Sequence, residues 1–302
     1  MSKLINIGVS RSSFISQVFE KRLFFCRGAV TENAIDWEAL NDILISWDPS
    51  DGMLKLFRDG ARPVSSFTNC IQDIDTIRIA VAPDRLRAEM QAGATLVMDR
   101  IERRSSYLSA LCAHFTELVG EKAVANGYAA FGGKGSFGHH WDTHDVFAVQ
   151  LIGRKHWKVY RPTFDLPLKA QTSRSSGHEC PSDPVFDDYL ETGDVLYIPR
   201  GWWHEAMPLD GQATFHVAIG VHTAKMIDYF QWLCQENLDR HLAARHTFKI
   251  GSDNSNRVRD AVKIFERELL DKRNIELFER KMMELKGQGV DRKVLNGKYY
   301  LP

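Results

Sequence analysis

No excess of either charge marks this chain: 39 Lys and Arg stand against 39 Asp and Glu, a formal net charge of zero over 302 residues. Neither a basic field for nucleic acid nor an acidic field for basic partners is built into the whole protein. Cysteine is scarce and scattered. Cys26, Cys70, Cys112, Cys180 and Cys234 form no C-x-x-C pair, and five is an odd number. A disulfide frame or zinc knuckle is therefore not expected, and reduced thiols in a cytoplasmic protein are. No apolar run approaches the length of a membrane span. Met1 to Phe14 lacks a charged stretch followed by an apolar core, so no signal peptide is read. Internal repeats and low-complexity tracts are missing too. What remains is an ordered globular composition, 44% apolar and 11% aromatic.

Along the chain, the first ninety or so residues read as mixed α/β. Phe14 to Lys21 suggests a short helix, and Arg22 to Cys26 a buried strand. Ile35, Trp37, Leu40, Ile43 and Leu44 recur at helical spacing and predict a helix from Asp36 to Trp47. Asp48 to Gly52 reads as a turn. Met53 to Phe57 alternates like a strand, and Arg58-Asp59-Gly60 supplies a hairpin signal. Ile77 to Val81 reads as a strand and Pro83 to Met90 as a helix ending near Gly93. From Ala94, short β-rich runs separated by Gly and Pro suggest a sandwich or barrel: Ala94 to Met98, Val146 to Ile152, His156 to Tyr160, Val195 to Pro199 and Phe215 to Val221. One helix, Tyr107 to Leu118, interrupts them. Pro162 to Pro184 is polar, rich in Ser and Pro, and reads as a loop insertion. From Ala224 the pattern turns helical, with further helices over Arg257 to Leu270 and Ile275 to Leu285.

The informative motif is His140-Trp141-Asp142, answered sixty-four residues later by His204. Two imidazoles and a carboxylate can occupy one face of an octahedral iron(II) and leave the other open for a cosubstrate and oxygen. On a strand, residues two apart share a face, so His140 and Asp142 are expected to reach one metal while Trp141 faces away. Val195 to Pro199 reads as a buried strand whose following turn, Arg200 to Trp203, delivers His204. Of eleven histidines, His139, His144, His156, His178, His216 and His222 have structural or surface readings. By alternation His144 is expected on the ligand side, and Asp145 on the other as a structural partner.

Gly133-Lys134-Gly135-Ser136-Phe137-Gly138 matches G-x-G-x-x-G. A dinucleotide site needs a strand before that pattern and a helix after it. Here His139-His140-Trp141-Asp142 follows, which reads as a strand or its approach. The glycines are expected to form a loop crossing the mouth of the site.

Three stretches together resemble the JmjC oxygenases, and more narrowly the cupin-type branch that contains the ribosomal oxygenases. They are Gly93 to Met98, Asn126 to Tyr160 and Gly193 to Ala206. The resemblance is good from Gly93 to Thr223 and fainter around Phe14 to Gly28. It implies a mainly β fold with α: a double-stranded β-helix (jelly-roll, cupin) over 93–223, an α/β N-terminal extension over 1–92, and a helical region over 224–302. It implies iron ligands at His140, Asp142 and His204. A basic residue fifteen positions after the first histidine, Lys155, is implied to hold the distal carboxylate of 2-oxoglutarate, with Arg154 as its rival. Asn126 and Tyr128 are implied as cosubstrate or pocket residues, and Thr214 with His216 as further lining.

The implied activity is iron(II)- and 2-oxoglutarate-dependent hydroxylation with oxygen as the other cosubstrate, giving succinate and carbon dioxide. A protein or peptide side chain is the expected target. A small molecule, or a non-catalytic cupin binding module, are the alternatives. The ribosomal oxygenases carry a winged helix after their dimerisation helices. Only about eighty residues follow Thr223 here, without a clear winged helix. That departure weakens a ribosomal-protein substrate but leaves room for a homodimer through the C-terminal helices. Nucleic-acid and membrane partners are not expected.

Overall fold

A computed structural model describes residues 4–72, 74–133, 135–174 and 176–287. The chain divides into a first unit ending at His222 and a second beginning at Thr223.

In the first unit the elements are α1 (Arg11–Gln17), β1 (Phe24–Cys26), α2 (Trp37–Ile45), β2 (Leu54–Phe57), β3 (Ala61–Arg62), β4 (Thr68–Gln72), β5 (Ile77–Val81), α3 (Pro83–Gln91) and β6 (Thr95–Met98). There follow α4 (Ser106–Val119), β7 (Lys122–Ala130), β8 (Asp145–Ile152), β9 (Arg154–Tyr160), β10 (Phe186–Glu191), β11 (Val195–Ile198), β12 (Trp203–Pro208) and β13 (Thr214–His222). An eight-stranded sheet has the order β1-β11-β8-β13-β7-β6-β2-β3, and a three-stranded sheet the order β10-β9-β12. Every strand pair in both sheets is antiparallel. A separate hairpin pairs β4 with β5.

Strand β8 shows why the architecture holds together. Its sequence is almost continuously apolar because both faces are covered. Phe147, Val149 and Leu151 join the main core, where Phe147 meets Phe115 of α4 at 4.3 Å and Phe14 of α1 at 5.7 Å. Ala148, on the other face, packs with Leu196, Ile198, Trp157, Val159 and Leu190, which fill the layer between the two sheets. Helix α4 covers the outer face. Ser105 caps its N-terminus by accepting from the Leu108 N–H, and Gly120 ends it at φ 76°. Its buried Leu108, Leu111, Cys112, Phe115, Leu118 and Val119 fall on one helical stripe.

Several expectations shift. The first helix begins three residues earlier, at Arg11, because the Ser10 hydroxyl accepts from the Ser13 N–H and sets the start. Strands β4 and β10 carried no sequence signal. The β4 side chains beyond Thr68 are exposed, and β10 is an edge strand whose charged residues face outward. The larger correction concerns His140-Trp141-Asp142, which lies on an irregular connection between β7 and β8 rather than on a strand. Only His140 forms a bridge, to His204. Conversely, His204 sits inside β12 rather than at the end of a turn.

The second unit contains α5 (Met226–Glu236), α6 (Leu242–Arg245), α7 (Ser255–Leu270) and α8 (Lys272–Gly287). Its core gathers around Tyr229 and Leu233 of α5, with Phe278 of α8 5.2 Å from the Tyr229 ring. The Tyr229 hydroxyl donates to the Leu269 carbonyl at 3.0 Å. Residues 288–302 of the expected helical region lie outside the described residues.

Candidate functional site

A cavity of about 700 Å³ opens beside the three-stranded sheet. His140, Asp142 and His204 line it, and their ligand atoms all lie within 4.8 Å of one another. Among the described residues they are the only group of three or more His, Cys, Asp or Glu that converges in this way. The His204 Nε2 is 3.7 Å from the Asp142 carboxylate, and the two imidazole centroids are 4.3 Å apart.

Backbone pairing brings these residues together. His140 N–H donates to the His204 carbonyl at 3.2 Å, and His204 N–H donates back at 2.8 Å. The Asp142 carbonyl accepts from the Gly201 N–H at 3.0 Å. The rings are oriented as ligating histidines usually are. His140 Nδ1 lies 3.0 Å from the Gly138 carbonyl, and His204 Nδ1 lies 3.0 Å from the Trp202 carbonyl. A carbonyl only accepts, so each Nδ1 carries the hydrogen and each Nε2 keeps its lone pair for a metal. Burial and the neighbouring His140 hold the His204 pKa down to about 4, so its imidazole stays neutral. Burial works against the Asp142 carboxylate, yet His204, His144 and His140 around it keep its pKa below the usual value.

The donor set fits a ferrous ion: two neutral nitrogens and one carboxylate oxygen, on residues that leave one side of the group facing an open cavity.

At the cavity wall, strand alternation separates the two candidate cations. Lys155 and Trp157 of β9 face inward, with the apolar Val159 on the same parity. Arg154 faces outward, where it donates to Gln212 at 3.0 Å and lies over the Tyr189 ring. Lys155 is 3% exposed, and its side chain has no hydrogen bond or ion pair among the described residues. Burial lowers its pKa to about 7. His216 stacks on Tyr128 at 5.0 Å and meets Trp157 edge-on at 5.2 Å. His216 Nδ1 and Trp157 Nε1 are both buried without a hydrogen-bond partner. Three unspent polar groups on lining residues suit an anionic ligand with its own acceptors.

The remaining expected residues divide. Tyr128 lines the cavity. Asn126 is not among its lining residues; its side-chain oxygen accepts from the Arg100 N–H at 3.1 Å, holding the left-handed turn there. Thr214 is fully buried and is not among the lining residues, and its hydroxyl accepts from Gln150 at 2.7 Å. His216 and Ala218 are the β13 residues that reach the cavity. His144 does line it, stacked on His222, and Asp145 points to the Tyr197 hydroxyl, which donates to it at 2.6 Å.

Sequence reasoning missed a polar cluster beside the ligands. His139 Nε2 lies 3.1 Å from Glu205, and the Tyr160 hydroxyl donates to the same oxygen at 3.3 Å. Residues 169–174 of the 162–184 loop form one wall of the cavity. Trp157 was findable, since it shares the inward parity of Val159.

Residues 100–229 match the JmjC domain family. The ribosomal oxygenase 1 of Danio rerio is 32% identical over 157 residues, covering 52% of this chain and 29% of that protein. The bifunctional lysine-specific demethylase and histidyl-hydroxylase NO66 of Brugia malayi is 32% identical over 144 residues, 47% of this chain and 20% of that protein. The chain thus spans under a third of the length of these relatives. The crystal structure of the Escherichia coli ribosomal oxygenase YcfD aligns over 89% of this chain and 69% of that one, with a TM-score of 0.57 and 18% identity. A structure of the same bacterial protein in complex with cobalt and 2-oxoglutarate aligns over 89% and 68%, with a TM-score of 0.55. At 18% identity these likenesses establish the fold.

Proposed function

From the premise that this chain carries a JmjC domain across residues 100–229, we propose that it is an iron(II)- and 2-oxoglutarate-dependent oxygenase that hydroxylates a protein or peptide side chain. The observation that carries this reading is the convergence of His140, Asp142 and His204 in one cavity with an unpaired, buried Lys155. The relatives whose names specify hydroxylation or oxygenation support it.

His140 and His204 would hold the metal through Nε2 and Asp142 through a carboxylate oxygen. When bound, iron(II) supplies oxygen activation coupled to oxidative decarboxylation of 2-oxoglutarate, giving succinate and carbon dioxide. The protein's own residues do the rest. Lys155 Nζ takes the distal carboxylate of the cosubstrate, a charge pair strengthened by its buried setting. Trp157 and His216 close that end against water. The backbone carbonyls of Gly138 and Trp202 keep both imidazoles in the ligating tautomer. The open side of the cavity leaves space for a substrate residue near the metal.

Purified protein should bind manganese(II) and then 2-oxoglutarate. With iron(II) and oxygen it should release succinate, and His140→Ala should abolish that release. Protein that binds neither metal nor 2-oxoglutarate would refute the reading.

A homodimer through the second unit belongs to the same proposal. Val258, Val262 and Leu270 of α7 are exposed, and α7 has no buried residue. Light scattering on the full chain tests it, with a single-protomer mass as the contrary result.

A further inference from the structure

The oxygenase function uses His140, Asp142, His204 and Lys155 and leaves another wall of the cavity without a role. That wall is the segment 169–174, inside the loop that follows β9. Two of its residues are Lys169 and Arg174, and both line the cavity.

Long surface cations are usually incidental. Here the loop that carries them is fastened to the metal-ligand segment itself. Ser173 is 4% exposed, and its hydroxyl accepts from the Trp141 N–H and donates to the Trp141 carbonyl, both at 3.0 Å. One side chain thus satisfies both backbone groups of the residue between His140 and Asp142. Upstream, the Trp203 indole donates to Thr163 at 2.8 Å, and Phe164 stacks on Trp141. Gly201, at φ 84°, approaches so closely that a Cβ there would meet the Phe164 carbonyl at 2.5 Å. Within the segment, Gln171 N–H donates to the Leu168 carbonyl at 2.9 Å and Ser176 N–H to the Ser173 carbonyl at 3.0 Å. The cations therefore stand on a positioned wall.

Their charge is also unanswered. Neither Lys169 nor Arg174 has a side-chain hydrogen bond or ion pair among the described residues. The carboxylates lining the cavity are Asp142 and Glu205. Asp142 belongs to the ligand group, and Glu205 is engaged by His139 and Tyr160. Apolar surface in the lining comes from Phe137, 45% exposed beside the His140 ring, with Ala206 and Met207, set among the polar Ser136, Thr143, Gln171 and Thr172.

We propose that Lys169 and Arg174 are substrate-recognition residues that receive an acidic side chain flanking the modified residue of a protein or peptide. The proposal rests on the oxygenase reading above. An extended peptide places a flanking side chain roughly 7 Å from its neighbour two positions away, a reach that a lysine or arginine side chain spans. The modified residue then points toward the ligand group, and Phe137 packs against the apolar part of the same peptide. Electrostatic complementarity at such a rim selects among partners more than it raises affinity.

The test uses the full chain loaded with manganese(II) and 2-oxoglutarate, without oxygen. Two fluorescein-labelled peptide pools of equal length and apolar content are titrated by anisotropy, one with Asp and Glu at alternating positions, the other with Lys and Arg. The acidic pool is expected to bind about tenfold more tightly, with a preference that shrinks as salt rises. The double change Lys169→Glu with Arg174→Glu is expected to reverse the preference. Lys169→Gln with Arg174→Gln, which keeps side-chain size, should abolish it. Equal binding of the pools by the unaltered protein, or tighter binding of the basic pool, overturns the proposal, as does an acidic preference that survives both double changes. Manganese and 2-oxoglutarate titrations on the unaltered protein separate the two levels. If both bind while the pools are not distinguished, only this inference falls; if neither binds, the oxygenase reading falls with it.

Discussion

Lys155 brings a charge into a buried site where no carboxylate meets it. Its pKa, lowered to about 7 by burial, has a direct consequence. A dicarboxylate binds the protonated form, so affinity for 2-oxoglutarate should be highest below pH 7. Above it, affinity should fall by about tenfold per pH unit until the bound anion's own stabilisation of the ammonium is exhausted. Calorimetric titration of 2-oxoglutarate into manganese-loaded protein across pH 6 to 9 measures this, and a flat profile contradicts it. Lys155→Ala should weaken 2-oxoglutarate by about a hundredfold, in line with roughly 2–5 kcal/mol for losing one partner of a buried charge pair, while manganese still binds. An equal loss from Arg154→Ala would mean that the outward-facing cation has the wrong assignment. In the sequence, the spacing of the family that the chain resembles favours Lys155, with Arg154 beside it as the rival. The apolar parity of Trp157 and Val159 on β9 decides between them, since one face of that strand is the layer between the sheets.

At the scale of elements, the ligand segment depends on the loop that follows β9. Ser173→Ala removes the donor and acceptor that hold Trp141, leaving two buried backbone groups with lost hydrogen bonds at about 1–3 kcal/mol each. We expect a lower melting temperature together with weaker manganese binding, because the segment between His140 and Asp142 is released. Ser173→Thr, which keeps the hydroxyl, should restore metal binding more than stability. Gly201→Ala should be worse, since its backbone lies at positive φ and a methyl group collides with the Phe164 carbonyl. The loop read from sequence as a polar insertion, Pro162 to Pro184. The hydrogen bonds that anchor it, Ser173 to Trp141 and Trp203 to Thr163, join residues far apart in the chain, and no local pattern encodes them. For the same reason the strand expected at His140-Trp141-Asp142 is absent: the Trp141 backbone groups are satisfied by a side chain, so no neighbouring strand is needed there.

For the molecule as a whole, a ligand that binds only the folded state adds stability by mass action. Manganese at about a hundred times its dissociation constant should contribute about 2.7 kcal/mol, read as a rise in melting temperature. 2-Oxoglutarate should add a further rise only when metal is present. His204→Ala should remove both rises, and a shift that persists in that variant would place the metal elsewhere. Among the described residues no helix is long and apolar enough to cross a membrane.

The sequence by itself determined the chemistry on offer. His140, Asp142 and His204 are there as residue types at a characteristic spacing, and the β-rich stretch from Gly93 to Thr223 was legible because strand runs buried on both faces are apolar almost throughout. Tertiary structure alone decided which side chains share the cavity. The reciprocal hydrogen bonds between His140 and His204 join residues sixty-four positions apart. Thr214 is taken up by Gln150 while His216 lines the cavity, and Lys169 and Arg174 line it beside the serine that holds Trp141. Such pairings are set by packing between distant segments. Local periodicity carries no record of them.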